Sequence, residues 1–150
     1  MKIEYNNLYT HFVFVTFMRS KLISAKHRER IEKYITGIVN NNQCKLYAVY
    51  ANPEHIHFLI SRSPALSEEY IATIVANSSA RFINENNLCE GLFKWQQSAS
   101  AFSVSKNDVD RVCHYILNQK EHHKTKTFED EYNEFLHEYQ RTLKPKSKNE

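Results

Sequence analysis

Residues 8–17 restrict the fold of this chain more than any other stretch. Their sequence, LYTHFVFVTF, places β-branched and aromatic residues at both alternating sets of strand positions. Such a strand can bury both of its faces. The pattern therefore predicts a central strand of a sheet.

The remaining elements are predicted from hydrophobic spacing and turn residues. In chain order, we expect a helix over 27–42, a hairpin of strands over 44–50 and 55–61, a helix with Ser67 as N-cap, a strand over 101–105, a helix over 108–123 with Asn107 as N-cap, and a helix over 128–140. The order β-α-β-β-α-β predicts an α+β, ferredoxin-like (RRM-like) sandwich with helices on one face of an antiparallel sheet. The other face is expected to be open, and a C-terminal helix carries Tyr115.

Length and composition indicate one domain over residues 1–150, with a disordered basic tail from about 143 to 150. The chain has 150 residues, of which 41% are hydrophobic, enough for a single core. No apolar stretch approaches the roughly 20 residues of a membrane-spanning helix, and the N-terminal segment lacks a signal-peptide pattern. We expect a cytoplasmic protein without a membrane partner.

Charge gives a weaker indication of the partner. The net charge of +3 is compatible with binding to a polyanion but is common among proteins. A basic cluster follows the first strand and contains Arg19, Lys21, Lys26, Arg28 and Arg30. These residues either contact phosphate or form a solvated face, and the sequence leaves both interpretations open.

The third strand begins with His-Ile-His. Because side chains alternate along a strand, Ile56 and Phe58 can face the core while His55 and His57 project together from the opposite face. Two neutral imidazoles on one side are suitable ligands for a divalent metal. A surface strand that happens to carry two histidines is the alternative.

The predicted helix over 108–123 offers a possible partner for these histidines. Tyr115 and Gln119 are i and i+4 neighbours on a flank of its apolar stripe, so their side chains can reach one small volume. An amphipathic helix whose tyrosine packs at the rim of the core would show the same pattern. His114, His122 and His123 form a second conceivable metal cluster, although adjacent histidines on a helix point in different directions.

Two segments together resemble the single-tyrosine HUH transposases, the small IS200-like insertion-sequence enzymes that act on single-stranded DNA. NPEHIHFLI contains the two histidines, His55 and His57, and VCHYILNQKEHH contains a helical tyrosine, Tyr115, with a glutamine one turn later, Gln119. The similarity extends from YTHFVFVTF and Arg19 to HHKTKTFEDEY, which is most of the chain. FKWQ and AFSVS also resemble segments of this family.

The resemblance implies a metal-assisted tyrosine mechanism. His55 and His57, with Gln119 as third ligand, would hold Mg²⁺ or Mn²⁺, and Tyr115 would attack the scissile phosphate of DNA. The products would be a 5′-phosphotyrosine and a free 3′-OH. The family also implies single-stranded DNA with hairpin ends as substrate and a homodimer in which the tyrosine helix can be supplied in trans.

Other functions remain open at this level. The family pattern includes a glycine before the AFSVS strand, where this chain has WQQSASAFSVS, so DNA contacts there are expected to differ. A non-catalytic or domesticated nucleic-acid-binding protein of the same fold is one alternative, with bases stacked on Tyr9, Tyr47, Tyr50 and Phe14 of the open face. A replication-initiator-like HUH nickase is another.

Overall fold

A computed structural model describes residues 1–143 of the chain, without the side chains at positions 135 and 138–143. Its elements, in chain order, are β1 Tyr9–Val15, α1 Arg28–Asn41, β2 Lys45–Ala51, β3 His55–Ser61, α2 Glu68–Glu85, β4 Ser100–Val104, α3 Val109–Leu117, α4 Gln119–His122 and α5 Phe128–Leu143. The predicted tail lies outside the described residues except at its first position.

The four strands form one antiparallel sheet in the order β2-β3-β1-β4. β1 is an inner strand, as its two-sided apolar pattern predicts, and pairs with β3 on one side and β4 on the other. In the β1–β3 register, Val13 lies opposite His57 and Val15 opposite His55. The ferredoxin-like fold is confirmed.

One face of the sheet carries the main core. Phe12 and Phe14 from β1 pack with Phe58 from β3, and the ring centroids of Phe12 and Phe58 are 5.0 Å apart in a stacked arrangement. Ile35 of α1 and Val75 of α2 belong to the same buried cluster. Burial of these apolar side chains, at about 25 cal/mol per Å² of apolar surface, is the main favourable term for this layer.

The opposite face carries α3 and a smaller core. Ala48 of β2 and Leu59 of β3 form a buried cluster with Val109 and Ile116 of α3. The tyrosine-bearing helix therefore covers part of the face that the first two helices leave open. This arrangement places Tyr115 on the same side of the sheet as the histidine pair.

The predicted helix over 108–123 is wrong in its extent. Asn118 adopts φ −96° and ψ 19°, so α3 ends at Leu117 and α4 begins at Gln119. Its start also differs, because a 3₁₀ turn at Lys106–Asp108 precedes α3 and contains Asn107, which therefore is not the N-cap. A hydrogen bond between Ser105 Oγ and Asp108 Oδ2, 3.0 Å long, accompanies this turn.

The N-cap of α2 is confirmed. The amide of Tyr70 donates to Ser67 Oγ over 3.1 Å, which satisfies one of the amides that the first helical turn leaves without an intrahelical partner. Glu68 and Glu69 occupy the first turn, where the helix dipole favours negative charge.

The chain divides into two compact units, Met1–Leu117 and a second that begins at Asn118. The first contains the sheet and α1–α3, and the second contains α4 and α5. Within residues 1–143, no helix combines the length and the apolarity needed to cross a membrane.

Candidate active site

His55 and His57 lie side by side on the α3 side of the sheet. Their rings meet edge to face, with centroids 5.0 Å apart and an interplanar angle of 80°. Strand alternation sends Ile56 and Phe58 into the core on the other side, as the sequence predicts. Both histidines are buried, at 0% and 1% exposure, although the sequence-based expectation was an open face.

His57 is held by a second histidine, His11 of β1. His11 Nε2 lies 2.9 Å from His57 Nδ1, and the two ring centroids are 5.1 Å apart. His11 is itself buried and packs against Phe102 of β4. Because His57 Nδ1 is committed to this hydrogen bond, Nε2 is the ring nitrogen suited to bind a metal.

His55 is held by the residues of the turn that precedes it. Its Nδ1 lies 2.7 Å from Glu54 Oε1, and its Nε2 lies 3.1 Å from Asn52 Nδ2. An ionised carboxylate only accepts hydrogen bonds, so His55 donates from Nδ1 and accepts the Asn52 amide at Nε2. A carboxylate behind an imidazole is the common support of a metal-binding histidine.

Tyr115 meets the histidine pair through ring packing. Its ring centroid is 5.8 Å from that of His57, at an interplanar angle of 89°. The side chain is half-buried and belongs to the rim of the small core around Ile116. Within one chain, the predicted nucleophile therefore lies beside a predicted metal ligand.

Gln119 belongs to the second unit, where it is part of a polar cluster. Its Nε2 donates to Glu131 Oε1 over 3.3 Å, and its Oε1 lies 3.0 Å from His123 Nε2. His123 Nε2 is also 2.8 Å from Glu131 Oε2. α3 ends at Leu117 and α4 begins at Gln119, so Tyr115 and Gln119 do not lie on one continuous helix.

Two members of the predicted basic cluster form hydrogen bonds with other side chains of the protein. Arg28 Nη1 lies 3.0 Å and 3.1 Å from the two oxygens of Glu32, and its guanidinium lies 4.7 Å from the centroid of Tyr50. Arg30 donates to Asn86 Oδ1 over 3.0 Å. The other three, Arg19, Lys21 and Lys26, are exposed.

Glu32 is a mostly buried acidic group beside this cluster. Burial raises its pKa above the ordinary value of 4.5, while the amide of Ala51 and the guanidinium of Arg28 stabilise the carboxylate and act in the opposite direction. The bond to Ala51 links α1 to β2. Glu32 therefore has a structural role, because it connects α1 to the edge of the sheet.

The aromatic residues proposed for base stacking do not share one open surface. Phe14 is buried in the main core, at 2% exposure, where it packs on Phe58 and Trp95, so its assignment to the open face is wrong. Tyr9 and Tyr47 pack edge to face with centroids 5.7 Å apart. This arrangement weakens the case for an RRM-type base platform.

His11 and Glu54 are the residues of this site that sequence reasoning missed. Glu54 directly precedes the histidine pair, and a carboxylate next to a metal-binding motif is a usable signal. His11 carries a different signal, because a histidine within a strand that buries both faces requires a hydrogen-bonding partner.

Comparisons with known proteins assign the chain to a family. A model of the family described as "Transposase IS200 like" matches residues 4–119, so the chain belongs to the IS200-like transposases. A search of curated proteins finds no match.

Two solved structures share the fold. A provisionally assigned transposase from Deinococcus radiodurans R1 gives a TM-score of 0.61 at 20% identity, covering 79% of this chain and 98% of that one. A REP-associated tyrosine transposase bound to a REP hairpin gives a TM-score of 0.59 at 13% identity, covering 82% of this chain and 73% of that one. At these identities the likeness establishes the fold alone.

Proposed function

We propose that this protein is a metal-dependent transposase that cleaves and rejoins single-stranded DNA through a 5′-phosphotyrosine on Tyr115. The observation that carries the proposal is the packing of Tyr115 against His57, with ring centroids 5.8 Å apart, in a chain of the IS200-like family. A cytoplasmic location is part of the proposal, because the substrate is cellular DNA.

The proposed metal ligands are His55 and His57, with Gln119 as the third. The donor set fits a divalent cation, since both imidazoles are buried and each has a hydrogen-bonding partner at Nδ1. A bound Mg²⁺ or Mn²⁺ would supply Lewis-acid stabilisation of the charge that develops on the phosphate.

His11 and Glu54 are assigned the role of orienting the two imidazoles. For His57 to present a lone pair at Nε2, Nδ1 must carry the proton and donate it to His11 Nε2. Glu54 imposes the same tautomer on His55. The chain thus fixes both rings in the tautomer that a cation needs, and a cation at His55 Nε2 would replace the Asn52 amide that this nitrogen accepts.

Tyr115 performs the covalent step in this proposal. Its Oη forms a bond to phosphorus while the bond from phosphorus to the 3′-oxygen breaks, and the proton lost by the phenol is balanced by the proton gained at the 3′-oxygen. The phosphotyrosine link conserves the phosphodiester bond, so attack by a 3′-OH reverses the step without ATP. A phenolate leaves more readily than an alkoxide, which suits a reversible reaction.

Substrate and assembly complete the proposal. The substrate is single-stranded DNA with hairpin ends, a proposal that agrees with the hairpin bound by one solved relative of the same fold. We also propose a homodimer, as the family implies. In this dimer the tyrosine helix acts either on the histidines of its own chain or, by exchange, on those of the other subunit, and an experiment must distinguish the two arrangements.

The substrate class is tested with end-labelled oligonucleotides. Hairpin DNA from the flanks of the protein's own gene, and the matching duplex, are incubated with the protein in Mn²⁺ or in EDTA. We expect cleavage of the single strand alone, only with Mn²⁺, with a free 3′-OH on one product and protein attached to the other. Cleavage of duplex in preference to hairpin, or undiminished cleavage in EDTA, would contradict the proposal.

A further inference from the structure

An exposed apolar turn follows β1 at Phe17–Arg19. The side chain of Phe17 is 46% exposed and that of Met18 is 76% exposed. Neither residue belongs to the two buried cores of the first unit. Packing within the fold therefore does not account for two neighbouring large apolar side chains at this position.

The backbone of this turn adopts a strained conformation. Met18 has φ 56° and Arg19 has φ 53°, two consecutive residues in the left-handed region, and neither is glycine. Residues other than glycine, asparagine and aspartate rarely adopt this backbone conformation. Backbone outliers of this kind persist only when surrounding structure enforces them, and they concentrate at ligand-binding sites.

Hydrogen bonds from Thr16 and Phe17 enforce the conformation. The Thr16 amide donates to the Glu54 carbonyl over 2.9 Å, and the Phe17 amide donates to the Lys94 carbonyl over 2.9 Å. The buried hydroxyl of Thr16 lies 2.6 Å from the Ser20 carbonyl oxygen and so closes the turn. The turn is thus held rigid before any partner binds, which lowers the entropy cost of binding.

Position and charge indicate the partner. The turn begins directly after Thr16, and Thr16 follows Val15, which is the register partner of His55. The turn therefore lies at the end of the sheet where the histidine pair begins. Lys94 Nζ is 4.9 Å from the ring centroid of Phe17, and Arg19 is part of the turn. An aromatic ring together with cations is the combination that binds unpaired bases and their phosphates.

We propose that Phe17 and Met18 form a stacking site for an unpaired nucleobase of single-stranded DNA next to the cleaved phosphate, with Lys94 and Arg19 contacting the adjoining backbone. This inference rests on the proposed function, since it assumes a single-stranded DNA substrate. Stacking is tolerant of base identity, because every base has a π-face, so the site would hold the strand in place without reading its sequence.

The test measures binding rather than catalysis. Hairpin DNA with a single-stranded extension, taken from the flank of the protein's own gene, is titrated in EDTA by fluorescence anisotropy, and one abasic position is moved stepwise along the extension. We expect Phe17→Ala to weaken binding roughly tenfold, the loss typical of one stacked base, and Phe17→Tyr to restore it. Tyr70→Ala, which removes another half-exposed aromatic ring from α2, is the matched control and should bind as the wild type does.

The abasic series identifies the contact. One abasic position should weaken binding to the wild type and cause no further loss in Phe17→Ala, because both changes remove the same contact. Equal affinity of Phe17→Ala and Tyr70→Ala, or additive losses at every abasic position, would overturn the inference. If Phe17→Ala proves unstable, Met18→Ala provides the same comparison with a side chain that is mostly in water.

Three further outcomes distinguish failure of this inference from failure of the proposed function. Altered sedimentation of Phe17→Ala with unchanged DNA affinity would overturn it and assign the turn to a contact between copies of the chain. Coupling between Phe17 and one abasic position, in a protein that forms no covalent adduct, would support the stacking site while the proposed chemistry fails. Absence of any single-stranded DNA binding by the wild type would overturn both.

Discussion

The two nitrogens of the His57 ring have different roles in the proposed site. Nδ1 faces His11 Nε2 at 2.9 Å, and Nε2 is the nitrogen assigned to a cation. The hydrogen bond alone permits either tautomer, and only the one with the proton on Nδ1 serves a metal. His11 therefore influences metal binding without being a ligand itself.

Replacement of His11 tests this role. His11→Phe keeps a ring of similar size but removes the acceptor, so we expect the proton of His57 to shift toward Nε2 and the affinity for Mn²⁺ to fall by about 10- to 100-fold. The measurements are ¹⁵N NMR of the histidine nitrogens without metal and calorimetric titration with Mn²⁺.

His11→Gln is the matched control, because its amide oxygen can accept the same hydrogen bond. It should retain the Nδ1–H form of His57 and most of the Mn²⁺ affinity. An unchanged tautomer and unchanged affinity in His11→Phe would show that His11 only fills space.

At the scale of elements, α1 is attached to the edge of the sheet through a mostly buried carboxylate. Glu32 accepts the Ala51 amide over 2.9 Å and two contacts from Arg28. Since burial raises its pKa above 4.5, the folded state holds the Glu32 proton more tightly than the unfolded state does. This contribution to stability is complete below pH 4.5 and is lost as the pH rises through the pKa of the folded state.

Glu32→Gln should remove that part of the pH dependence. The free energy of unfolding of the wild type, minus that of the variant, should decrease as the pH rises from below 4.5 toward neutrality. Urea denaturation at a series of pH values measures this difference. A difference that increases over the same range would mean that Arg28 and the Ala51 amide outweigh burial.

The elements also show how much of the site the sequence could predict. The placement of His55 and His57 opposite the core follows from strand alternation alone, because Ile56, Phe58 and Ile60 define the other face. The pairing of His11 with His57 could not be derived, since it depends on the register of two strands 46 positions apart. The end of α3 at Leu117 was missed because Asn118 interrupts a pattern that otherwise continues to His123.

At the scale of the whole molecule, the question is whether one chain or two build the catalytic site. Tyr115 packs on His57 of its own chain, which favours action in cis. In the homodimer that we propose, the tyrosine helix can instead be supplied by the other subunit. Both arrangements use the same residues, so only an experiment with two kinds of subunit distinguishes them.

Mixing inactive variants provides that experiment. Tyr115→Phe and His57→Ala are each expected to be inactive alone. If each tyrosine serves the histidines of its own chain, the mixture should remain inactive, because every site lacks one component. Restored cleavage of hairpin DNA in the mixture would show that the tyrosine acts in trans.

The most direct test of the account is a denaturing gel of the protein incubated with Mn²⁺ and labelled single-stranded hairpin DNA. Tyr50 is the matched control, because it is the register partner of His57 on β2 and so is a second tyrosine near the pair. We predict a protease-sensitive DNA adduct with the wild type and Tyr50→Phe, and none with Tyr115→Phe, which should still fold and bind DNA. An adduct of undiminished yield with Tyr115→Phe would contradict the assignment of the nucleophile and, with it, the proposed mechanism.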